Sequence, residues 1–289
     1  MAVGNIRVAD VANMTPDVWS AQFIETLRTK ECLTQYVTID SSLDVAIKGT
    51  TVKFAVPNAI TIADKTAGSV YVLFQAAPSS PVSLTMNYHR ACTFLFEDPA
   101  ELAALSGTRN YYVEDAVGQI VEDVNAKIAG LYASFAAVGT NPDMSAADLL
   151  VGVGALDAVK VPADERVLII HPNDKVSLIN DTAIANWFMM GGGQAAMQTG
   201  RLPDLYGNAC VQSPQVPLST NRKSLLLHKR AIGFGCRSLP PIDPMLGAVS
   251  TIRYDAGTGL IIRIWASWDN TMGGTRVVEQ NYAYDIVGS

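Results

Sequence analysis

The chain has 289 residues, 49% of them apolar and 17% charged, with a net charge of −6. The length allows one large domain or two modest ones with a real core, and the acidic balance excludes a nucleic-acid binder of the basic kind. An ordinary soluble domain carries about a quarter of its residues charged, so the shortage here calls for burial, in a membrane or against other chains.

A membrane span does not supply it. The uncharged stretch from Thr66 to His89 contains Pro78 and Pro81, and that from Thr182 to Gly200 is broken by Gly191, Gly192 and Gly193. Neither offers the roughly 20 consecutive apolar residues of a spanning helix. MAVGNIRVAD lacks the basic-then-apolar order of a signal peptide. The expectation left is a subunit that loses surface to partner chains. Cys32, Cys92, Cys210 and Cys236 form no CxxC and read as reduced thiols of a cytoplasmic product. Residues 97–127 hold seven acids and two bases, and residues 222–255 six bases and two acids. These are two solvated faces, or complementary faces meeting within or between subunits.

In chain order, TPDVWSAQFIETLRTKECL predicts an arm helix capped at Thr15 with Pro16 at its first position. A β region follows in TVKFAVP and VSLTMNYHRACTFLFED, where apolar residues recur with period two, and in SVYVLFQ, which is apolar on both faces. Between Gly49 and Pro81 a long hairpin reaching away from the body fits. EDPAELAAL carries a capping box at Asp98 and Glu101. The run Val113, Val117, Ile120, Val124, Ile128, Leu131 and Phe135 predicts a helix from about Tyr111 to Val138, about 42 Å long. GTNPDM ends it, and Ser145 with Asp148 starts another. ERVLIIHPNDKVSLI reads as a buried strand, Val167 to Ile170, running into a helix opened by Pro172. NACVQSPQVP and SLLLHKRAIGFG read as strand, turn, strand and short helix. LIIRIWASW and TRVVEQNYAYDIV are closing strands, with DAGTG as a hairpin turn.

The residues of chemistry are thin. GGGQAAMQTGR lacks the Lys-Ser/Thr of a phosphate loop, and VGVGALDA has Asp157 where a dinucleotide loop has its third glycine. The glycines read instead as points where the chain bends. His89, His171 and His228 stand apart from one another and from cysteine at ligand spacing and read as structural. No GxSxG is present. Glu97–Asp98 and Glu114–Asp115 are carboxylate pairs that capping and a helix N-terminus explain. No catalytic residue, cofactor or metal is expected.

The order of these parts resembles the major capsid protein of tailed bacteriophages, the Hong Kong-97 type of shell subunit. TPDVWSAQFIETL is similar to the family's N-terminal arm. GTTVKFAVP and VSLTMNYHRACTFLFED resemble the two legs of its extended loop, and YYVEDAVGQIVEDVNAKIAGLYASF its spine helix. ERVLIIHPNDKVSLIND and GRLPDLYGNACVQSPQVP resemble its axial domain. The resemblance implies an α+β fold: an N-terminal arm at 1–46, an extended β-hairpin loop at 47–95, a peripheral domain at 96–140 and 258–289, and an axial domain at 141–257.

It further implies hexamers and pentamers of the chain itself forming an icosahedral head around double-stranded DNA. A portal protein is implied too, with a cement or decoration protein on the outside in some members, and a location in the virion after assembly in the host cytoplasm. About fifteen residues precede the arm helix, which implies a separate scaffolding protein. Contacts between subunits are expected at Trp19 and Phe23 of the arm, at Phe54, Val56, Tyr71 and Phe74 of the loop, and at Trp187 and Phe188 of the axial segment. Trp19 and Trp187 would serve an ordinary core equally well. Some members cross-link through a loop lysine and an asparagine; Lys65 occupies such a place, without an identified partner. Two other readings stay open. One is an encapsulin-like shell of the same fold around an enzyme cargo, the other an α/β enzyme with a glycine-rich ligand loop.

Overall fold

The computed structural model describes residues 5–6, 32–39, 51–57, 79–96, 108–139, 141–187, 200, 202–218, 221–240, 248–255, 259–269 and 273–286, and, between the first hairpin strands, residues 60, 62, 64, 65, 67 and 68. The predicted arm helix, the strand SVYVLFQ, the capping box at Asp98 and the glycine run 191–193 lie outside these residues.

Among the described residues seven strands form one sheet: β1 (Asn5–Ile6), β2 (Thr38–Ile39), β5 (Tyr88–Phe96), β9 (Ile232–Arg237), β10 (Ala248–Asp255), β11 (Leu260–Asp269) and β12 (Gly273–Ile286). β12 is its axis. One edge of β12 pairs with β5 from Gly274 to Tyr282. The other pairs first with β11, up to Glu279, and then with β9 from Asn281 onward. Valines, threonine and tyrosines along β12 favour this extended backbone. β10 and β11 close over residues 256–259, with Asp255 opposite Leu260, as DAGTG predicts.

A second sheet of three strands has the order β7 (Ala209–Gln212), β6 (Arg166–Ile170), β8 (Leu225–His228). Every residue of β6 is buried, because both faces are covered. Val167 and Ile169 join Val211, Leu225 and Leu227 in the central core. Leu168 and Ile170 face Ala146, Leu149, Leu178 and Ile184 from three helices. Those helices are α2 (Ala146–Ala158), α3 (Pro172–Asn180) and α4 (Thr182–Trp187). The predicted starts hold. Ser145 and Asp148 exchange both hydrogen bonds of a capping box, and Pro172 opens α3.

The spine is α1 (Thr108–Gly130), 23 residues and about 35 Å. Ile120 packs on Cys92, Phe94, Ile262 and Ile264 of the large sheet, while Val124 and Ile128 enter the central core. The helix ends earlier than predicted. Leu131–Ser134 tighten into a 3-10 turn and Phe135 is extended. Leu131 and Phe135 still pack on the central core, so the apolar spacing outlasts the α-helix. The start at Thr108 also corrects the reading of Glu114 and Asp115. They sit well inside the helix, beyond reach of its N-terminal dipole.

VSLTMNYHRACTFLFED, read as one strand, is two. β4 (Ser79–Thr85) pairs with β3 (Thr51–Pro57) in a separate hairpin, Met86 and Asn87 break the run, and β5 belongs to the large sheet. β9 and β10, numbered with the axial segment above, are also strands of the large sheet. The short helix read at the end of SLLLHKRAIGFG is a 3-10 turn at Lys229–Ala231, and the chain then continues as β9, a strand that the sequence reading did not include.

Candidate assembly surfaces

The hairpin stands apart from the two larger sheets in its pairing. Two strands alone are marginal in water. This pair is held at its base, where Leu84 is fully buried and the tips of Leu84 and Met86 close over Gly235 of β9. A Cβ on Gly235 would lie 3.4 Å from Met86 Cε. Further out, Phe54 stands opposite Val82 and Val56 opposite Ser80. In the connecting segment Ile60 is 72% and Ile62 98% exposed, and Lys65 is exposed too. Of the predicted contact residues the structure thus gathers Phe54, Val56 and Lys65 on one hairpin. Trp187 ends α4, on a different part of the chain. Trp19, Phe23, Tyr71, Phe74 and Phe188 lie outside the described residues. The exposed Ile60 and Ile62 are not among the predicted contact residues. Their signal is an alternating pair of isoleucines in the otherwise polar or small run NAITIADKT.

The arm is pinned where it meets the spine. Cys32, Leu33 and Val37 belong to the central core. The Leu33 amide donates to Asn125 Oδ1 of α1 over 2.9 Å. Thr38 pairs with Gly233 and Ile39 with Phe234, in parallel. The Thr38 hydroxyl donates to the Lys229 carbonyl at 3.1 Å.

Charged groups tie loops together. Asp174, 2% exposed, accepts from Arg222 Nη1 at 3.0 Å and from the Ser224 hydroxyl. Arg222 also reaches Asp143 at 2.6 Å. The hydrogen bond to Asp143, then that to Asp174, pushes the Arg222 pKa up from its ordinary value. Buried Arg166 donates to Asp157 at 2.6 Å and to the carbonyls of Val161 and Pro162, closing the end of α2 against β6. Asp181 joins two helix starts, accepting from the amides of Ala146 at 2.8 Å and Ala183 at 3.0 Å. Those bonds hold its carboxyl below the usual range. The Ser145 and Asn141 side chains do the same for Asp148.

Two histidines have structural work, as read from sequence. His171 Nδ1 accepts from the Asn173 amide and His228 Nδ1 from the Arg230 amide, each at a helix start. None of the four cysteines is in a disulfide. Burial pushes Cys210 up to about 11, with Asp204 adding to it against a lowering backbone hydrogen bond. Burial, then Asp115 and Asp123, raises Cys92. Such thiols are poor nucleophiles at neutral pH. Among the described residues no His, Cys, Asp and Glu gather as a metal site, and no helix is long and apolar enough to cross a membrane.

No protein-family model and no curated protein matches the sequence. Solved structures do match in fold. A chain from Mycobacterium phage Che8 superposes with a TM-score of 0.68 at 17% identity, covering 94% of this chain and 93% of that one. A chain from the capsid structure of the cyanophage P-SCSP1u gives 0.64 at 13% identity, over 96% and 91%. One from the asymmetric unit of the bacteriophage PhiM1 mature capsid gives 0.64 at 8% identity, over 94% and 88%. The chain has an α+β bacteriophage capsid fold over almost its whole length.

Proposed function

We propose that this chain is the major capsid protein of a tailed bacteriophage. Copies of it close as hexamers and pentamers into an icosahedral head around double-stranded DNA. The observation that carries the reading is a fold match over 96% of the chain to a chain of a cyanophage capsid structure. The hairpin supports it. A two-stranded ribbon with Ile60 and Ile62 in water is an incomplete structure that a neighbouring subunit completes.

In this reading the arm, the Hong Kong-97-type extended loop, the peripheral domain and the axial domain follow the division given above, except that β9 and β10 go with the peripheral domain, whose strands β12 and β11 they pair with. Phe54, Val56, Tyr71 and Phe74 of the loop, Trp19 and Phe23 of the arm, and Trp187 and Phe188 contact neighbours. A separate scaffolding protein and a portal protein assist assembly, and a decoration protein is a further partner on the outside. The work is burial across interfaces, and no residue is given a catalytic role.

Expression of the chain, negative-stain electron microscopy and mass by light scattering test this. Rings of five or six, sheets or closed shells are expected. A monomer at every concentration, in low salt with crowding agent, counts against it. Particles from the natural source that hold an enzyme and no nucleic acid would turn the reading to the encapsulin-like shell.

A further inference from the structure

We infer that the segment leading into α2 is a salt-sensitive latch: Arg222 holds residues 141–144 down, and its release frees them while the rest of the subunit stays folded. The segment has little else to hold it. Residues 136–139 and 141–143 are exposed. Among the described residues the main chain of 136–139 and 141–144 makes no hydrogen bond to another main-chain group. Met144 is what the segment packs on the core, against the cluster around Leu149 and Leu168. Few apolar contacts and an exposed backbone mark a part that opens below the stability of the whole.

Side chains do the holding. Arg222 Nη1 donates to the Pro142 carbonyl at 3.2 Å and to Asp143 at 2.6 Å. Asn141 donates to Asp148 Oδ1 at 2.8 Å, on the exposed side. The limits of the opening are set on either flank. The Ser145–Asp148 capping box and the bond from the Ala146 amide to Asp181 fix the start of α2. On the other flank Phe135 packs on the central core.

Two arginines show why this tie releases and another does not. Arg166, its side chain 4% exposed, bonds Asp157 at 2.6 Å. Losing that partner leaves a buried cation short of its counter-charge, which is costly. Arg222 also bonds Asp143 at 2.6 Å, but it has a second carboxylate, Asp174, which is buried and which the Ser224 hydroxyl holds as well. When Asp143 leaves, Arg222 and Asp174 keep each other, and no buried charge is left alone. Asp143, 66% exposed, goes to water. An exposed ion pair contributes little and weakens as salt screens it.

Hydrogen peroxide oxidation of the methionines, read by peptide mass spectrometry, tests the latch in the full chain. Met144 reports the opening, and Met86, which closes over Gly235, reports the rest of the subunit. Asp143→Ala should keep the wild-type circular dichroism and melting temperature. It should raise oxidation of Met144 roughly twofold to fivefold, the range that an exposed ion pair carries, and leave Met86 unchanged. In the wild type, raising sodium chloride from about 0.01 M to about 1 M cuts the screening length from about 30 Å to about 3 Å and should speed Met144 in the same way. In Asp143→Ala it should not. Asp157→Ala, which leaves Arg166 short of its partner, should instead lower the melting temperature. Equal oxidation of Met144 in Asp143→Ala and wild type overturns the inference. So does a rise at both methionines, which means that the whole subunit loosens. A salt response that survives Asp143→Ala overturns it too, as does a melting temperature lowered as much by Asp143→Ala as by Asp157→Ala.

Discussion

The main-chain amide of Leu33 donates to Oδ1 of Asn125, 92 residues away, at 2.9 Å. This bond couples the end of the arm to the spine helix. Asn125 is 1% exposed, so no water can replace it. Asn125→Ala leaves a buried amide without an acceptor, at a cost of about 1–3 kcal/mol. Chemical denaturation should show the unfolding free energy falling by that amount, as a lower midpoint with the slope unchanged. An unshifted midpoint would mean that the arm does not depend on this bond.

Gly259, in the turn between β10 and β11, has φ +66°, and a Cβ built there falls 2.6 Å from Ile39 Cγ2. Gly259→Ala therefore meets two penalties. The left-handed backbone costs about 1–2 kcal/mol for any side chain, and the overlap pushes on β2. Adding Ile39→Ala should remove the overlap and leave the backbone strain. A double-mutant cycle by thermal melting should then show a favourable coupling between the two changes, and strictly additive losses would refute the close approach.

Asp148 and Asp181 both have folded pKa values below their ordinary ones, through hydrogen bonds from Ser145 and Asn141 and from the amides of Ala146 and Ala183 respectively. A depressed carboxyl favours the folded state above its unfolded pKa of about 3.9. That contribution is lost as pH falls through the unfolded value towards the folded one. Asp181→Asn should flatten the loss of stability below about pH 4 and reduce stability at neutral pH. Urea titrations at a series of pH values measure both effects, and an unchanged acid limb would remove Asp181 from the account.

These polar ties also mark what could be read in advance. The Ser145–Asp148 box, Pro172 at a helix start and the apolar run Val167 to Ile170 announced α2, α3 and β6, because each depends on residues a few positions apart. The break at Met86–Asn87 did not show, since the alternation Leu84, Met86, Tyr88 runs straight through it. Which strand continues is decided by distant partners, Thr51–Pro57 on one side and Gly274–Tyr282 on the other. β9 was hidden by Gly233 and Gly235, poor strand formers; the structure keeps Gly235 where Leu84 and Met86 close over it. The end of α1 was hidden because Leu131 and Phe135 hold the helical spacing while a 3-10 turn carries them to the same core. The hairpin's two legs were legible as strands, but its exposed isoleucines show only once the segment is seen to lack cover.

Cys210, with its pKa pushed up to about 11 by burial, should be thiolate in about one molecule in a thousand at pH 8. Cys92 is raised as well. Native protein treated with Ellman's reagent at that pH should label both slowly, and urea should release the signal in one fast phase. Rapid native labelling traced to Cys210 by peptide mapping would contradict its burial.

The hairpin separates folding from assembly. Ile60 and Ile62 are 72% and 98% exposed, so a polar residue at either place removes almost no contact within the subunit. Surface changes of this kind stay within about 0.5 kcal/mol. Between subunits, each buried isoleucine contributes about 1.5–3 kcal/mol, and a closed shell repeats the contact in every copy. Ile60→Ser with Ile62→Ser should therefore leave the melting temperature of the isolated subunit unchanged and raise the protein concentration needed for particle formation severalfold or more, read by light scattering. Two other results are informative. A lower melting temperature would place the isoleucines in the subunit's own core. Unchanged assembly would place the neighbour's contact elsewhere on the ribbon, at Phe54 and Val56, whose replacement by serine is then the decisive comparison.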